Sequence, residues 1–282
     1  MRTIRSPSEM HETSLSLRRE GKRIALVPTM GYLHEGHLSL MRIARQHADV
    51  LVVSIFVNPA QFGPNEDLAK YPRDFGRDEK LCRQEKVDLV FYPQAADMYL
   101  PDHSVYVVEE SLSRGLCGAS RPGHFRGVAT VVAKLFNLVL PDVAAFGEKD
   151  AQQLRIIERM VRDLNIPVRI LRGPTVREPD GLAMSSRNAY LSPDERRQAL
   201  CLRRALDRAE KLYREGQRDP EEILSAMRRI VEGEEAARVD YIEILDDATL
   251  EPVSAVRGPC LIALAAFIGR TRLIDNTVVG GS

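Results

Sequence analysis

In Ile24-Ala25-Leu26-Val27-Pro28-Thr29-Met30-Gly31-Tyr32-Leu33-His34-Glu35-Gly36-His37, four apolar residues run into a tight turn and then into a helix that opens on two histidines. A short apolar run of this kind, bounded by Pro28 and Gly31, reads as a buried strand. Gly31 and Gly36 let backbone approach a ligand where a Cβ would obstruct it. The amides at the start of the following helix present partial positive charge to an anion. His34 and His37, three residues apart, share one helical face. The stretch therefore suits phosphate, yet it is neither a Walker loop nor the G-x-G-x-x-G fingerprint, both of which need other glycine spacings. The two histidines also suit a helix start with satisfied polar side chains, or two legs of a zinc site. Against zinc, H-E-x-x-H is absent and no Cys/His cluster offers a third ligand.

Two further segments carry the same kind of chemistry. At Phe146-Gly147-Glu148-Lys149-Asp150-Ala151-Gln152-Gln153 a short apolar strand (Val143 to Phe146) again meets glycine and charge before an amphipathic helix. In a doubly wound sheet both loops would lie at the carboxyl ends of strands, where strand order reverses, and could face one nucleotide. Lys149 could neutralise a phosphate, and Asp150 could accept from a ribose hydroxyl or orient a magnesium-bound water. Gln153 lies one turn onward. These charges equally suit helix capping and solvated surface. At Gly181-Leu182-Ala183-Met184-Ser185-Ser186-Arg187-Asn188, two adjacent hydroxyls beside a guanidinium suit the oxygens of a triphosphate or departing pyrophosphate. Alone, Ser-Ser-Arg-Asn is ordinary loop chemistry, and Ser192 caps the helix that begins near Pro193.

Outward from these loops, apolar runs near 24–27, 50–57, 87–92, 143–146 and 168–171 read as strands separated by helical patterns. That alternation predicts an α/β fold, a Rossmann-like parallel sheet with flanking helices. Around Arg172-Gly173-Pro174 the rhythm changes. Charged helices are expected from about Asp194 to Glu215 and from Pro220 to Glu232, then strands near Val239 to Leu245 and Leu261 to Ile268. The expected division is a domain over 1–174 and a smaller, mixed α+β C-terminal domain over 175–282 that closes over the nucleotide. The 282 residues hold 40 basic and 40 acidic side chains, so no basic surplus advertises nucleic acid. Cys82, Cys117, Cys201 and Cys260 form no C-x-x-C pair, which favours reduced thiols in a cytoplasm. No apolar run approaches the length of a membrane span, and no apolar leader follows Arg2.

His-x-Gly-His after a first strand is similar to the signature of nucleotidyl-transferring enzymes that make adenylates from ATP. With the other two segments, and with Val57-Asn58-Pro59-Ala60-Gln61-Phe62, Tyr71-Pro72-Arg73-Asp74 and Arg121-Pro122-Gly123-His124-Phe125-Arg126-Gly127-Val128, the chain resembles the pantothenate synthetase (pantoate–β-alanine ligase) family. The resemblance runs from about Pro28 to Leu191. It implies a ligase that joins pantoate and β-alanine at the expense of ATP, giving pantothenate, AMP and diphosphate through an enzyme-bound pantoyl adenylate. It places Met30 to His37, Gly147 to Asp150, Val176 and Met184 to Arg187 on ATP, with His34, His37, Lys149 and Arg187 as the catalytic groups. Gln61 and Gln153 would bind pantoate, Gln61 would also meet β-alanine, and Asn58 would lie nearby. Each side-chain amide can pair with a substrate hydroxyl while staying uncharged, so neither competes with the carboxylate for phosphorus.

Val128 to Val132 would wall the pantoate pocket, and the Gly- and Pro-punctuated stretch Phe62 to Tyr71 would serve as a lid. Mg2+ is implied by the charge of ATP, with no protein ligand assigned. A homodimer is expected, with no nucleic-acid or membrane partner. Where the related tRNA synthetases carry a lysine in their Lys-Met-Ser-Lys-Ser loop, this chain has Ala183, and its cation moves to Arg187. No G-x-S-x-G elbow or motif cysteine suggests an acyl-enzyme. The alternatives are another adenylyltransferase acting on a different small acid, or a silent binding protein that keeps the fold.

Overall fold

A computed structural model describes residues 1–64 and 66–281. Asn65, inside the expected lid, lies outside the described residues, as does Ser282. The chain forms two compact units. One comprises Met1–Glu148 with Gln152–Pro174, and the other runs from Thr175 to the C-terminal end and includes Lys149–Ala151.

The first unit is built on β1 (Arg2–Ile4), α1 (Pro7–Arg19), β2 (Ile24–Thr29), α2 (Glu35–Arg45), β3 (Val50–Ile55), α3 (Phe75–Gln84), β4 (Leu89–Phe91), α4 (Ala95–Met98), α5 (Leu116–Ser120), α6 (His124–Val139), β5 (Val143–Gly147), α7 (Ala151–Asp163) and β6 (Arg169–Gly173). The sheet order is β1-β4-β3-β2-β5-β6, and every pairing is parallel. Ile24, Ala25, Leu26 and Val27 are all fully buried, as expected for a central strand covered on both faces. Alternate residues Ala25 and Val27 join Leu51, Val53, Val90 and Val143 in one apolar layer with Met41 and Ala44 of α2. Successive connections run outward from β2 through β3 to β4, whereas β5 lies on its other side. The carboxyl ends of β2 and β5 thus flank the point where strand order reverses. Five strands fall where the apolar runs placed them. Strand β1 was not anticipated: it is a three-residue edge element, paired as Arg2↔Leu89 to Ile4↔Phe91 and too short to show periodicity.

The second unit carries α8 (Pro193–Ala199), α9 (Cys201–Arg214), α10 (Pro220–Glu232) and the antiparallel strands β7 (Ala237–Asp246), β8 (Cys260–Ile268) and β9 (Thr271–Val279), in the order β7-β8-β9. The single helix expected over 194–215 is two. Leu200 N reaches back only three residues, to Arg197 O (3.4 Å), and Ala199 and Cys201 on either side are fully buried, so the ladder resets there. Strand β9 was also unanticipated. Its inward positions are Thr271, Leu273, Asp275 and Val279, and a carboxylate among them breaks the apolar alternation.

Candidate active site

After β2, Gly31 (φ +82°) and Tyr32 (φ +49°) turn the chain in the left-handed region. That conformation points successive amides to one side, and Asp78 of α3 receives them: Tyr32 N and Leu33 N each donate to its carboxylate at 2.7 Å. Thr29 Oγ1 accepts from Gly31 N (3.1 Å) and donates to Ser54 O (2.8 Å), so the turn is fixed from both sides. A Cβ on Gly31 would lie 3.0 Å from both Asp78 Oδ2 and Ile55 Cγ2, which adds crowding to the positive φ. Asp78 is 1% exposed, and burial raises its carboxyl above the ordinary value, against the lowering pull of the two amides and Arg77.

The turn delivers His34 to the N-cap of α2 and His37 to its first turn. Their rings lie 4.0 Å apart between centroids. His34 N donates to His37 Nδ1 (3.2 Å), so in the neutral ring the His37 proton sits on Nε2. Gly36 O takes the Ser39 hydroxyl (2.8 Å). Glu35, expected among the ATP residues, pairs its carboxylate with Arg42.

Gln61, on the short turn Pro59–Gln61 after β3, is buried and held at every polar atom. Its Nε2 faces Met30 Sδ (3.2 Å), its Oε1 accepts from Asn58 Nδ2 (3.0 Å), and its carbonyl accepts from His124 Nδ1 (2.9 Å). Asn58 itself bridges to Gly127 O (3.1 Å) and accepts from Tyr99 OH (2.8 Å). Arg121 donates to His124 Nε2 (3.1 Å), which leaves His124 with its proton on Nδ1, and pairs in bidentate fashion with Glu66 (2.7 Å twice). The expected lid stretch is thereby tied, at Glu66, to the residues that hold Gln61. Val128, Val131 and Val132 are buried on α6, and Thr130 Oγ1 accepts from Val107 N (3.0 Å).

Strand β5 ends at Gly147, where an added Cβ would meet nothing within 4 Å. Gln152 and Gln153 divide the work of the first turn of α7. Gln152 is buried and stitches the 112–117 segment, donating to Leu112 O (2.8 Å) and Gly115 O (2.9 Å) and accepting from Cys117 N (3.0 Å). Gln153, one residue on and about 100° round the helix, is half-buried.

In the second unit, Lys149 lies 3.5 Å from Asp150 Oδ1, and its carbonyl accepts from Asn276 Nδ2 (2.9 Å). Val176 and Met184 become neighbours because the chain doubles back at Gly181 (φ +95°): Met184 N donates to Val176 O (3.0 Å), and Arg177 pairs with Ala183. Ser185 Oγ caps the following turn through Arg187 N (3.2 Å). Ala183 is 4% exposed, so a lysine has no room there. Asn188 Nδ2 holds Ala183 O (3.1 Å) and Glu178 (2.7 Å). Ser186 is buried beside these groups, and Arg187 is half-buried.

Asp78, Arg121, His124, Gln152, Asp275 and Asn276 all support these segments, and none was assigned a role from sequence. Asp78 had left a trace: with Phe75 and Cys82 it occupies a core-facing stripe of α3, where an aspartate is out of place.

A parallel sheet of this order, with a glycine turn feeding a helix at its reversal point, defines a Rossmann-like nucleotide-binding protein. The family model described as pantoate-beta-alanine ligase matches residues 2–278. A pantothenate synthetase of Thermotoga petrophila is 57% identical over 280 residues, 99% of this chain and 100% of the relative. One from Heliobacterium modesticaldum is 56% identical, covering 99% of each. The crystal structure of pantothenate synthetase from Thermus thermophilus superposes with a TM-score of 0.93 at 46% identity, covering 98% of this chain and 99% of the other. The Francisella tularensis pantoate-beta-alanine ligase, complexed with beta-gamma ATP and beta-alanine, gives a TM-score of 0.82 at 34% identity, covering 99% and 97%. The chain belongs to the pantothenate synthetase (pantoate–β-alanine ligase) family. Its reaction is the ATP-dependent condensation of pantoate and β-alanine.

Proposed function

We propose that the condensation proceeds through a pantoyl adenylate and that the residues described above carry it. The observation that supports this reading most is the rigid hold on the turn of residues 30–33 and on Gln61 by Asp78, Asn58 and His124. In the first step the pantoate carboxylate attacks the α-phosphorus, and charge grows on the phosphate oxygens and departing pyrophosphate. His37, with its proton on Nε2, donates to those oxygens together with His34. Lys149 and Arg187 supply fixed positive charge, and Ser185 and Ser186 supply hydroxyls to the triphosphate. Gly147 to Asp150 hold ribose and phosphate, while Val176 meets the adenine through its backbone. Gln61 and Gln153 orient the pantoate hydroxyls.

In the second step the β-alanine amine, steered by Gln61, attacks the acyl carbon and AMP departs. Holding the two reactants together supplies much of the rate. Burial pushes the thiols of Cys82 and Cys201 up to about 12 and about 11, which argues against a cysteine acyl carrier.

Magnesium would enter on the nucleotide. The cation would be carried mainly by phosphate oxygens and water, with no protein ligand assigned. The setting we propose is cytoplasmic, and no described helix is long and apolar enough to cross a membrane. The assembly we propose is a homodimer. Leu100, Val105, Tyr106 and Val108 are exposed apolar side chains on or beside an extended segment of the first unit, and a second copy would cover them. Pyrophosphate release with ATP, magnesium and pantoate, followed by AMP release that requires β-alanine, is the expected result. AMP formation independent of pantoate would refute the substrate assignment.

A further inference from the structure

Asp275 faces the interior of the second unit from β9 and is 3% exposed. A carboxylate in that place is costly unless a cation meets it. Arg177 does so in bidentate fashion, Nη1 to Oδ2 at 2.6 Å and Nη2 to Oδ1 at 2.9 Å. The same guanidinium donates to Gly181 O (3.1 Å) and so closes the hairpin whose arms carry Val176 and Met184. Burial alone would lower the Arg177 pKa, yet hydrogen bonding and charge from Asp275 keep it above the ordinary value.

The next residue, Asn276, lies on the opposite face of the strand. Its backbone N–H donates to Asp275 Oδ1 (2.8 Å), and its side-chain amide donates to the carbonyl of Lys149 (2.9 Å). Two consecutive residues of one strand are therefore bonded to Lys149 and, through Arg177, to the paired Val176 and Met184. These are three segments that are far apart in sequence.

The geometry points to Asp275 and Asn276 as positioning residues for ATP, acting through Lys149 and through the hairpin that joins Val176 to Met184. The inference rests on the ATP roles proposed above for those segments. It goes beyond them in naming what sets their mutual spacing. A buried ion pair kept only for stability would not need an adjoining side chain on the main chain of a phosphate-binding lysine. An apolar replacement of similar volume often serves stability as well. The pair fixes a distance that matters while charge moves along the triphosphate, and it should matter less once the adenylate has formed.

The test separates the two half-reactions in Asn276→Ala, with Asp275→Asn as the second variant. Pyrophosphate release with ATP and pantoate reports the first step. Pantoyl adenylate supplied with β-alanine reports the second and bypasses ATP. The expected result for Asn276→Ala is a fall of about tenfold or more in kcat/KM for ATP, from the loss of one hydrogen bond that orients a reacting group. Its KM for pantoate should stay within about twofold, and the bypass reaction, whose adenylate lacks the departing pyrophosphate, should lose several-fold less than the first step. Asp275→Asn should show the same asymmetry with a larger first-step loss, because it also weakens the hold of Arg177 on the hairpin.

Equal losses in both half-reactions, accompanied by a lower melting temperature, would reduce the pair to a structural role and overturn the inference. So would unchanged kcat/KM for ATP in Asn276→Ala. A wild-type protein that released no pyrophosphate with pantoate would instead overturn the reading of the site, and the inference with it.

Discussion

Gly127→Ala should damage the reaction out of proportion to its effect on the fold. Gly127 lies in α6, where an added Cβ would sit 2.2 Å from Ala60 O, 2.5 Å from Ala60 C and 2.6 Å from Gln61 Cα. All three neighbours are backbone atoms, so no side chain can swing aside. Restoring an ordinary carbon–oxygen contact requires the turn or the helix to move by about 1 Å. Overpacking of this kind costs about 1–3 kcal/mol, and the helical preference of Ala over Gly returns about 1 kcal/mol. The net loss of about 0–2 kcal/mol is a drop of several degrees at most in Tm. Gln61 cannot absorb the shift, because Asn58 bonds both to its side chain and to Gly127 O (3.1 Å). A displacement of about 1 Å at a group that orients substrate can cost about 100-fold in rate. The assay is pyrophosphate release against pantoate concentration, with a thermal melt on the same sample. Gly76→Ala serves as control, since its nearest contact, Asp74 Oδ1 at 3.8 Å, is ordinary. If Gly127→Ala kept kcat/KM for pantoate within about threefold of wild type, the close approach of α6 would not be what places Gln61.

Asp78→Asn removes one of two amide acceptors beneath the 30–33 turn, so kcat/KM for ATP should fall about tenfold, as for a lost bond to a charged group. Because burial raises the Asp78 pKa in the fold, its stabilising contribution is full below the ordinary 3.8 and is lost as pH rises through the raised value. The Tm advantage of wild type over Asp78→Asn should therefore shrink from acid toward neutral pH, and a gap that widened would contradict it. Glu66→Gln should show the opposite trend. Burial pushes the Glu66 carboxyl up, but Arg121 holds it below its ordinary 4.5, so the tether is complete above that pH and is lost on further acidification. Melting curves of wild type and Glu66→Gln should converge below pH 4.5, and a gap independent of pH would exclude the ion pair as the cause. All four cysteines are buried and outside any disulfide, so iodoacetamide near neutral pH should leave activity intact, whereas rapid inactivation matched by alkylation of one thiol would reopen a covalent route.

The parallel sheet was legible because its strands are short apolar runs, and such runs declare themselves wherever both faces are buried. Strand β1 escaped by shortness and β9 by the inward Asp275, whose partner Arg177 is 98 positions away. The split between α8 and α9 escaped because a three-residue hydrogen bond at Leu200 leaves the apolar periodicity almost intact. In the site, the glycine turn and its histidines could be read from spacing, since adjacent residues supply both backbone and side chains. Helical spacing singled out Gln153 one turn onward, but its pantoate role came only through the resemblance, because neighbouring glutamines at a helix start look alike in sequence. Their burial separates them in the structure.

The supporting residues were illegible for a common physical reason. Asp78, His124, Gln152 and Asn276 each reach the main chain of a distant segment: the amides of Tyr32 and Leu33, the carbonyl of Gln61, the 112–117 loop and the carbonyl of Lys149. A side chain that holds another segment's backbone asks nothing of that segment's residue types, so no complementary pattern appears at the other end. Such bonds nevertheless decide where the groups proposed for catalysis sit, because a buried amide or carbonyl must find a partner and accepts only a narrow geometry. Changes at these four positions should therefore shift kinetic constants for the particular substrate whose segment they hold. ATP should respond to Asp78 and Asn276, and pantoate to His124. That pattern of substrate-selective defects is what separates positioning from general stabilisation, which would lower all the constants together.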